Sequence, residues 1–251
     1  MDNRAVEVGD IFREYARPII SESEYHFDAP IDNIRWAFAL IEGPLVQWEE
    51  LLYQVAFLSD EAFVRGANSA KVAIANCVLR YSIELLSNVS YVLDSEGEER
   101  MKRVLAWIRS RSDFFRAEYH FGEHLVKDGA ATKTNSGNVE KTKLILQEEE
   151  SEYSKLTDLR NYDPFNKTIF EKLNSVPVRD RTKMIVVYRY ATIQTHAYYN
   201  SIYAQSLPDH PMTAMIECTT LILDVTASSL GLGVNHHECG RKIADLYADA
   251  S

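Results

Sequence analysis

The chain has 251 residues, 46% of them hydrophobic, which gives it material for a sizeable core and excludes global disorder. Its net charge of −10 excludes a broad basic surface for gripping nucleic-acid backbone, leaving room only for a local groove, and argues against an anionic membrane as partner. Cys77, Cys218 and Cys239 are far apart with no CxxC and read as reduced thiols, while the N-terminus lacks a secretory signal and no apolar run reaches about 18 residues; the expected home is the cytoplasm, with no membrane span.

Residues 4–20 carry Val6, Ile11, Phe12 and Tyr15 at helical spacing, and Pro18 is expected to end or bend that helix. Residues 21–29 read as a polar loop. Pro30 and Asp32 open a helix through Ile34, Trp36, Phe38 and Ile41, which Gly43-Pro44 breaks; a second piece runs from Leu45 to Ser59. Asn68 to Leu93 predicts a long, mostly buried helix with Val72, Ile74, Val78, Tyr81, Leu85, Val89 and Val92 on its apolar side. A second stripe of the same helix holds Ala73, Cys77, Arg80, Glu84 and Tyr91, with Arg80 and Glu84 one turn apart.

Glu96 begins an amphipathic helix that reaches about Val126. Residues 127–138 are small, polar and glycine-containing, the best candidate for a mobile loop. Residues 139–160 are charged and helical, and a short helix lies around 167–174. Lys183 to Tyr203 is the least polar long run. Its helix is expected to start near Arg179, with Asp180 as N-cap. Met184, Val187, Tyr188, Ala191, Thr195, Tyr198 and Ile202 form the core-facing stripe. The opposite face, with Val186, Tyr190, Ile193 and Ala197, is also mild, which predicts neighbours on most sides. Met212 to Leu230 forms another helix, stopped by Gly231 and Gly233, and a last one covers about 237–249. No period-two stretch with hairpin turns occurs. The expected fold is all-α, a multi-helix bundle of eight or nine helices in a single domain over residues 1–251.

Four constellations carry chemistry. Arg80 and Glu84 on one helix could meet Tyr188, Thr192 and His196, which climb one edge of another at i, i+4 and i+8. Such a set is either a structural polar network fixing the register of the bundle, or a site in which His196 is acid or base and an Arg stabilises an anion. Arg189 and His196, seven apart, return to nearly the same helical face and could cleave a phosphodiester without metal. His120, Glu123 and His124 match the order of the inverted zinc-protease motif. The third carboxylate ligand and the mixed scaffold of such enzymes are missing, and Gly122 interrupts the motif, so a partly exposed helix end is the expectation. His236, His237, Glu238 and Cys239 are adjacent, and neighbours in sequence rarely wrap one ion; they read as a loop and helix start. No metal or cofactor is expected.

The segment from Asn76 to Asp94, with its Arg80-x3-Glu84, followed by Val187 to Asn200, resembles a widespread bacterial group of uncharacterised helical proteins. Those carry an Arg-x3-Glu helix and a later Tyr-x3-Ser-x3-His helix, here Tyr188, Thr192 and His196. That group is similar to the HEPN superfamily of helical bundles, over roughly residues 30–205. The resemblance implies a metal-independent ribonuclease, often a toxin or antiphage effector, with a site assembled across a homodimer. His196 would be the acid/base, Arg189 or Arg80 the phosphate holder, and Tyr188 and Thr192 orienting groups. This chain departs from the pattern in having Thr192 for Ser, and Tyr190 where a polar residue usually follows the Arg. Some relatives of that superfamily are inactive binding modules. The alternative is therefore a non-catalytic helical module for a partner protein, with Glu84 and its neighbours as a buried network.

Overall fold

The computed structural model describes residues 4–26, 38–65, 70–127, 139–145, 147, 167–174, 176, 178–195 and 211–248. The fold is all-α, and no strand occurs among the described residues. Contacts divide the chain into two units, residues 1–95 with 167–251, and residues 96–166.

The first unit is a helical bundle. Helix α1, Arg4–His26, continues past Pro18 and six residues beyond the expected stop. Pro18 is exposed, and the burial of Ile19 and Ser23 after it holds the helix together despite the missing backbone donor. A π-helical turn, Phe38–Glu42, leads directly into α2, Gly43–Arg65. Gly43-Pro44 thus changes the hydrogen-bonding register rather than ending the helix, because proline in a first turn has no intrahelical acceptor to lose. The remainder of the helix expected from Pro30, and the loop after His26, lie outside the described residues.

Helix α3, Ala70–Leu93, is the hub, packed against α2 and against two later helices. Its core face matches the expected one in the second half, where Leu85, Val89 and Val92 are buried, and differs in the first half. Ala75, Leu79, Ile83, Leu86 and Val89 are buried, whereas Ile74 and Tyr81, placed on the apolar side by periodicity, are 51% and 46% exposed. The helix instead buries Ser82, Ser87 and Ser90. The Ser82 hydroxyl donates to the Val78 carbonyl at 3.0 Å and the Ser87 hydroxyl to the Glu84 carbonyl at 2.8 Å, so small polar residues enter a tight contact without an unmet donor.

Between the units' boundary and the end of the bundle come a one-turn helix, α6, Ile169–Lys172; α7, Val178–Thr195; α8, Pro211–Ser229; and α9, His236–Ala248. Asp180 falls inside the first turn of α7 rather than at its N-cap, where a carboxylate still faces the positive end of the helix dipole. Met184, Val187 and Ala191 are buried as their stripe predicts. On the other face Val186 and Tyr190 are each 43% exposed, while the Ile193 side chain and Ala197 lie outside the described part. Helix α8 ends in a Schellman turn, with Leu232 N–H on the Ala227 carbonyl and Gly231 N–H on that of Ser228, and Gly231 at a φ of 68° that suits glycine.

The core joins Trp48 and Leu52 of α2, Leu79 and Ile83 of α3, and Met215 and Ile222 of α8. Inside it the Trp48 indole donates to Thr219 Oγ1 at 3.0 Å. Arg13 of α1 pairs with Glu49 of α2, and Lys183 of α7 with Glu217 of α8.

The second unit holds α4, Gly97–Lys127, and a helical stretch α5 at 139–145. The expected mobile segment falls almost wholly at 128–138, outside the described residues, as does most of the helix expected after Ile145. Among the described residues no helix is long and apolar enough to cross a membrane.

Candidate functional site

The packing of α7 on α3 brings part of the first constellation together. Val187 and Ala191 enter the core, which turns Tyr188 onto the flank facing α3. There its hydroxyl donates to Glu84 Oε1 at 2.8 Å, and Arg80 Nη2 pairs with the same oxygen at 3.1 Å. The Arg80 guanidinium lies 5.5 Å from the centre of the Tyr188 ring, within cation–π range. The hydrogen bond to Tyr188 contributes most to raising the Arg80 pKa; burial opposes it and the Glu84 charge adds to it. The Arg80 and Glu84 side chains are 25% and 34% exposed, so the cluster is neither sealed nor freely solvated.

Beside this cluster opens a cleft of about 450 Å³, lined by Glu84 and Asn88 of α3, Tyr188 of α7, and Lys167, Thr168 and Lys172 around α6. Lys172 is only 9% exposed, and its ammonium donates to Asn88 Oδ1 at 3.0 Å. Lys167 sits 5.6 Å from the Tyr91 ring centre. A capping box holds both lysines in place. Thr168 Oγ1 accepts from the Glu171 N–H, while the Glu171 carboxylate accepts from the Thr168 N–H at 2.8 Å. That backbone donor, followed by the Thr168 hydroxyl, holds the Glu171 pKa below the ordinary carboxylate value. Lys167 and Lys172 were not among the site residues expected from sequence. The readable signal was Thr168-x-x-Glu171, a capping-box pattern that places two lysines at the two ends of one turn.

The other expected site residues behave differently. Thr192 turns its hydroxyl back to the Tyr188 carbonyl at 2.7 Å, so that donor serves its own helix. Arg189 is exposed, and lying one residue after Tyr188 it is about 100° around the helix from it. His196 lies outside the described residues. At the C-terminal cluster, Asn235 caps α9 by accepting from the Glu238 N–H at 3.2 Å, Cys239 is buried and the His237 ring packs at a tilt against that of His236; this is the expected helix start.

Chemically, the cleft sets two ammonium groups beside a carboxylate and a phenol, with a guanidinium held behind them. It can hold an anionic oxygen by charge and accept a hydroxyl proton's hydrogen bond at Glu84. Among the described residues no three His, Cys, Asp or Glu side chains come close enough to share a metal ion. Comparison with family models, with curated proteins and with solved structures finds no match.

Proposed function

We propose that the chain is a HEPN-like, metal-independent endoribonuclease, acting as a toxin or antiphage effector in a homodimer, with RNA phosphate held at the Glu84–Lys172–Tyr188 cleft. The observation that carries this reading is the local gathering of Lys167 and Lys172 at one cleft, with Arg80 against two of its lining residues, in a chain of net charge −10. A general deficit of positive charge makes such a group of cations a selective place for a phosphodiester.

In the proposed reaction the ribose 2′-oxygen attacks the adjacent phosphorus while a base takes its proton, and the 5′-oxygen leaves with a proton supplied in turn. His196 is assigned both transfers on the resemblance of its helix, and the lysines and Arg80 stabilise the charge gained by the phosphate oxygens. The test is cleavage of single-stranded RNA in EDTA. Expected are products with 2′,3′-cyclic phosphate ends, no cleavage of DNA, loss with His196→Ala, and at least tenfold weaker RNA binding with Lys167→Ala. Absence of cleavage by the unaltered protein, or full activity of His196→Ala, would overturn the proposal.

A second reading, a non-catalytic module for a partner protein, is favoured by one observation. Arg80 and Tyr188 both bind the Glu84 carboxylate, as members of a structural network do, while Val186 and Tyr190 of the same helix stay exposed. It predicts that Val186→Glu abolishes association while His196→Ala leaves it intact.

A further inference from the structure

The second unit has a cleft of its own, of about 590 Å³, lined by Tyr119, His120, Glu123, His124 and Lys127 of α4 and by Glu140 of α5. The close approach of α5 explains the glycine within this stretch. A Cβ at Gly122 would lie 2.4 Å from Val139 Cγ2, so the residue that breaks the HFGEH pattern is the one that lets α5 seat against α4.

We propose that His120 and His124 form a binding site for a divalent late transition-metal ion, Cu²⁺ in preference to Zn²⁺, oriented by Glu123. Two independent observations carry it. The imidazoles are four residues apart on a continuous helix, which puts their Cβ atoms about 6 Å apart on one face, in the same cleft. Glu123 also stands at the Nδ1 side of one of them. Its Oε2 lies 3.4 Å from His120 Nδ1, and its Oε1 accepts from the Tyr119 hydroxyl at 2.6 Å. A carboxylate at Nδ1 favours the tautomer that leaves Nε2 with its lone pair outward, the arrangement found behind metal-bound histidines. Tyr119 fixes that carboxylate in turn.

The site is a two-imidazole one. Among the described residues no third ligand-type side chain comes within a shared ion's reach, so water completes the coordination. Tetragonal Cu²⁺ with two nitrogens and waters suits such a site, and the general order of affinities places it above Zn²⁺. The ion is exchangeable, unlike a closed structural zinc. Both imidazoles stand well exposed, His120 with 62% of its side chain in solvent, so substitutions here leave the helix folded.

The test is titration of the purified chain with Cu²⁺ alone and Zn²⁺ alone, read by calorimetry, with electron paramagnetic resonance of the Cu²⁺ form. Expected are one Cu²⁺ per chain, coupling to two imidazole nitrogens, and weaker Zn²⁺ binding. His120→Ala and His124→Ala should each weaken Cu²⁺ binding more than tenfold, Glu123→Gln by about tenfold, and a His236→Ala/His237→Ala variant not at all. Circular dichroism of each variant checks that the helices persist. No Cu²⁺ binding, binding that survives the His120→Ala/His124→Ala double variant, or coupling to a single imidazole would each overturn the site. Unchanged affinity in Glu123→Gln would overturn its orientation by Glu123.

Discussion

Tyr188 donates a 2.8 Å hydrogen bond to Glu84, a residue 104 positions earlier, and this bond is a polar tie between α7 and the central helix α3. Arg80 completes it by meeting the same carboxylate oxygen and the Tyr188 ring. Tyr188→Phe removes the donor and keeps the ring under the guanidinium. Because all three groups are partly exposed, the expected loss is about 1 kcal/mol. It should appear as a lower urea midpoint with an unchanged slope. Combining Tyr188→Phe with Glu84→Ala, which removes the acceptor, should give a loss smaller than the sum of the singles, with coupling of about 0.5 kcal/mol or more. Strictly additive losses would mean that the bond stabilises nothing.

This relationship was half legible in the sequence. The i, i+4 spacing of Arg80 and Glu84 puts them on one face whatever the fold, and Tyr188 follows from the Met184–Val187–Ala191 stripe beside it. Which helix meets which is not encoded at that range. The rotation of the first half of α3 was misjudged because size and hydropathy point to Ile74 and Tyr81, whereas close helix contacts prefer Ala75, Ser82 and Ser87, the serines with hydroxyls turned to their own backbone. The same blindness to neighbours hid Lys172. Its ammonium is held by Asn88 of α3, 84 residues away, and no local pattern announces that. Pro18 does not end α1, because the burial of Ile19 and Ser23 after it carries the helix on.

Trp48 and Thr219 form the counterpart of the Tyr188 bond in the dry core. Both are fully buried, and the Thr219 hydroxyl accepts from the indole while donating to the Met215 carbonyl at 2.7 Å. Thr219→Val preserves the shape and removes the acceptor, leaving the indole N–H buried without one. The expected destabilisation is about 1–3 kcal/mol, measured by chemical denaturation. Thr219→Ser, which keeps the hydroxyl, should recover the hydrogen-bond part and lose only the methyl's packing.

The cap of α6 makes a pH prediction that bears on the cleft. Glu171 has a lowered pKa in the fold, so its contribution is present above the ordinary carboxylate pKa and is lost as pH falls through the depressed one. Acid should therefore loosen the turn that carries Lys167 and Lys172. The Thr168 amide resonance should titrate below the usual glutamate range, and Glu171→Gln should remove that titration. A midpoint at the ordinary glutamate value would show that the cap does not hold in solution.

The three cysteines offer a test of the whole bundle. Cys218 and Cys239 are fully buried, and Cys77 is partly exposed. Burial pushes the Cys218 thiol far up and Cys239 up to about 12, while for Cys77 burial raises the pKa and the Arg80 charge lowers it. A thiol reagent at pH 8.5 should therefore modify one cysteine in the native chain and three in denaturant. Arg80→Met should slow labelling of Cys77, since the cation that favours its thiolate is gone. The same shifts predict alkaline weakening. A thiol whose folded pKa is raised stabilises the fold fully below its unfolded value of 9.0 and loses that contribution as pH rises towards about 12. Cys239→Ala should flatten that alkaline limb of the stability curve. Rapid native labelling of all three thiols would contradict the packing of α8 and α9 against the rest of the bundle.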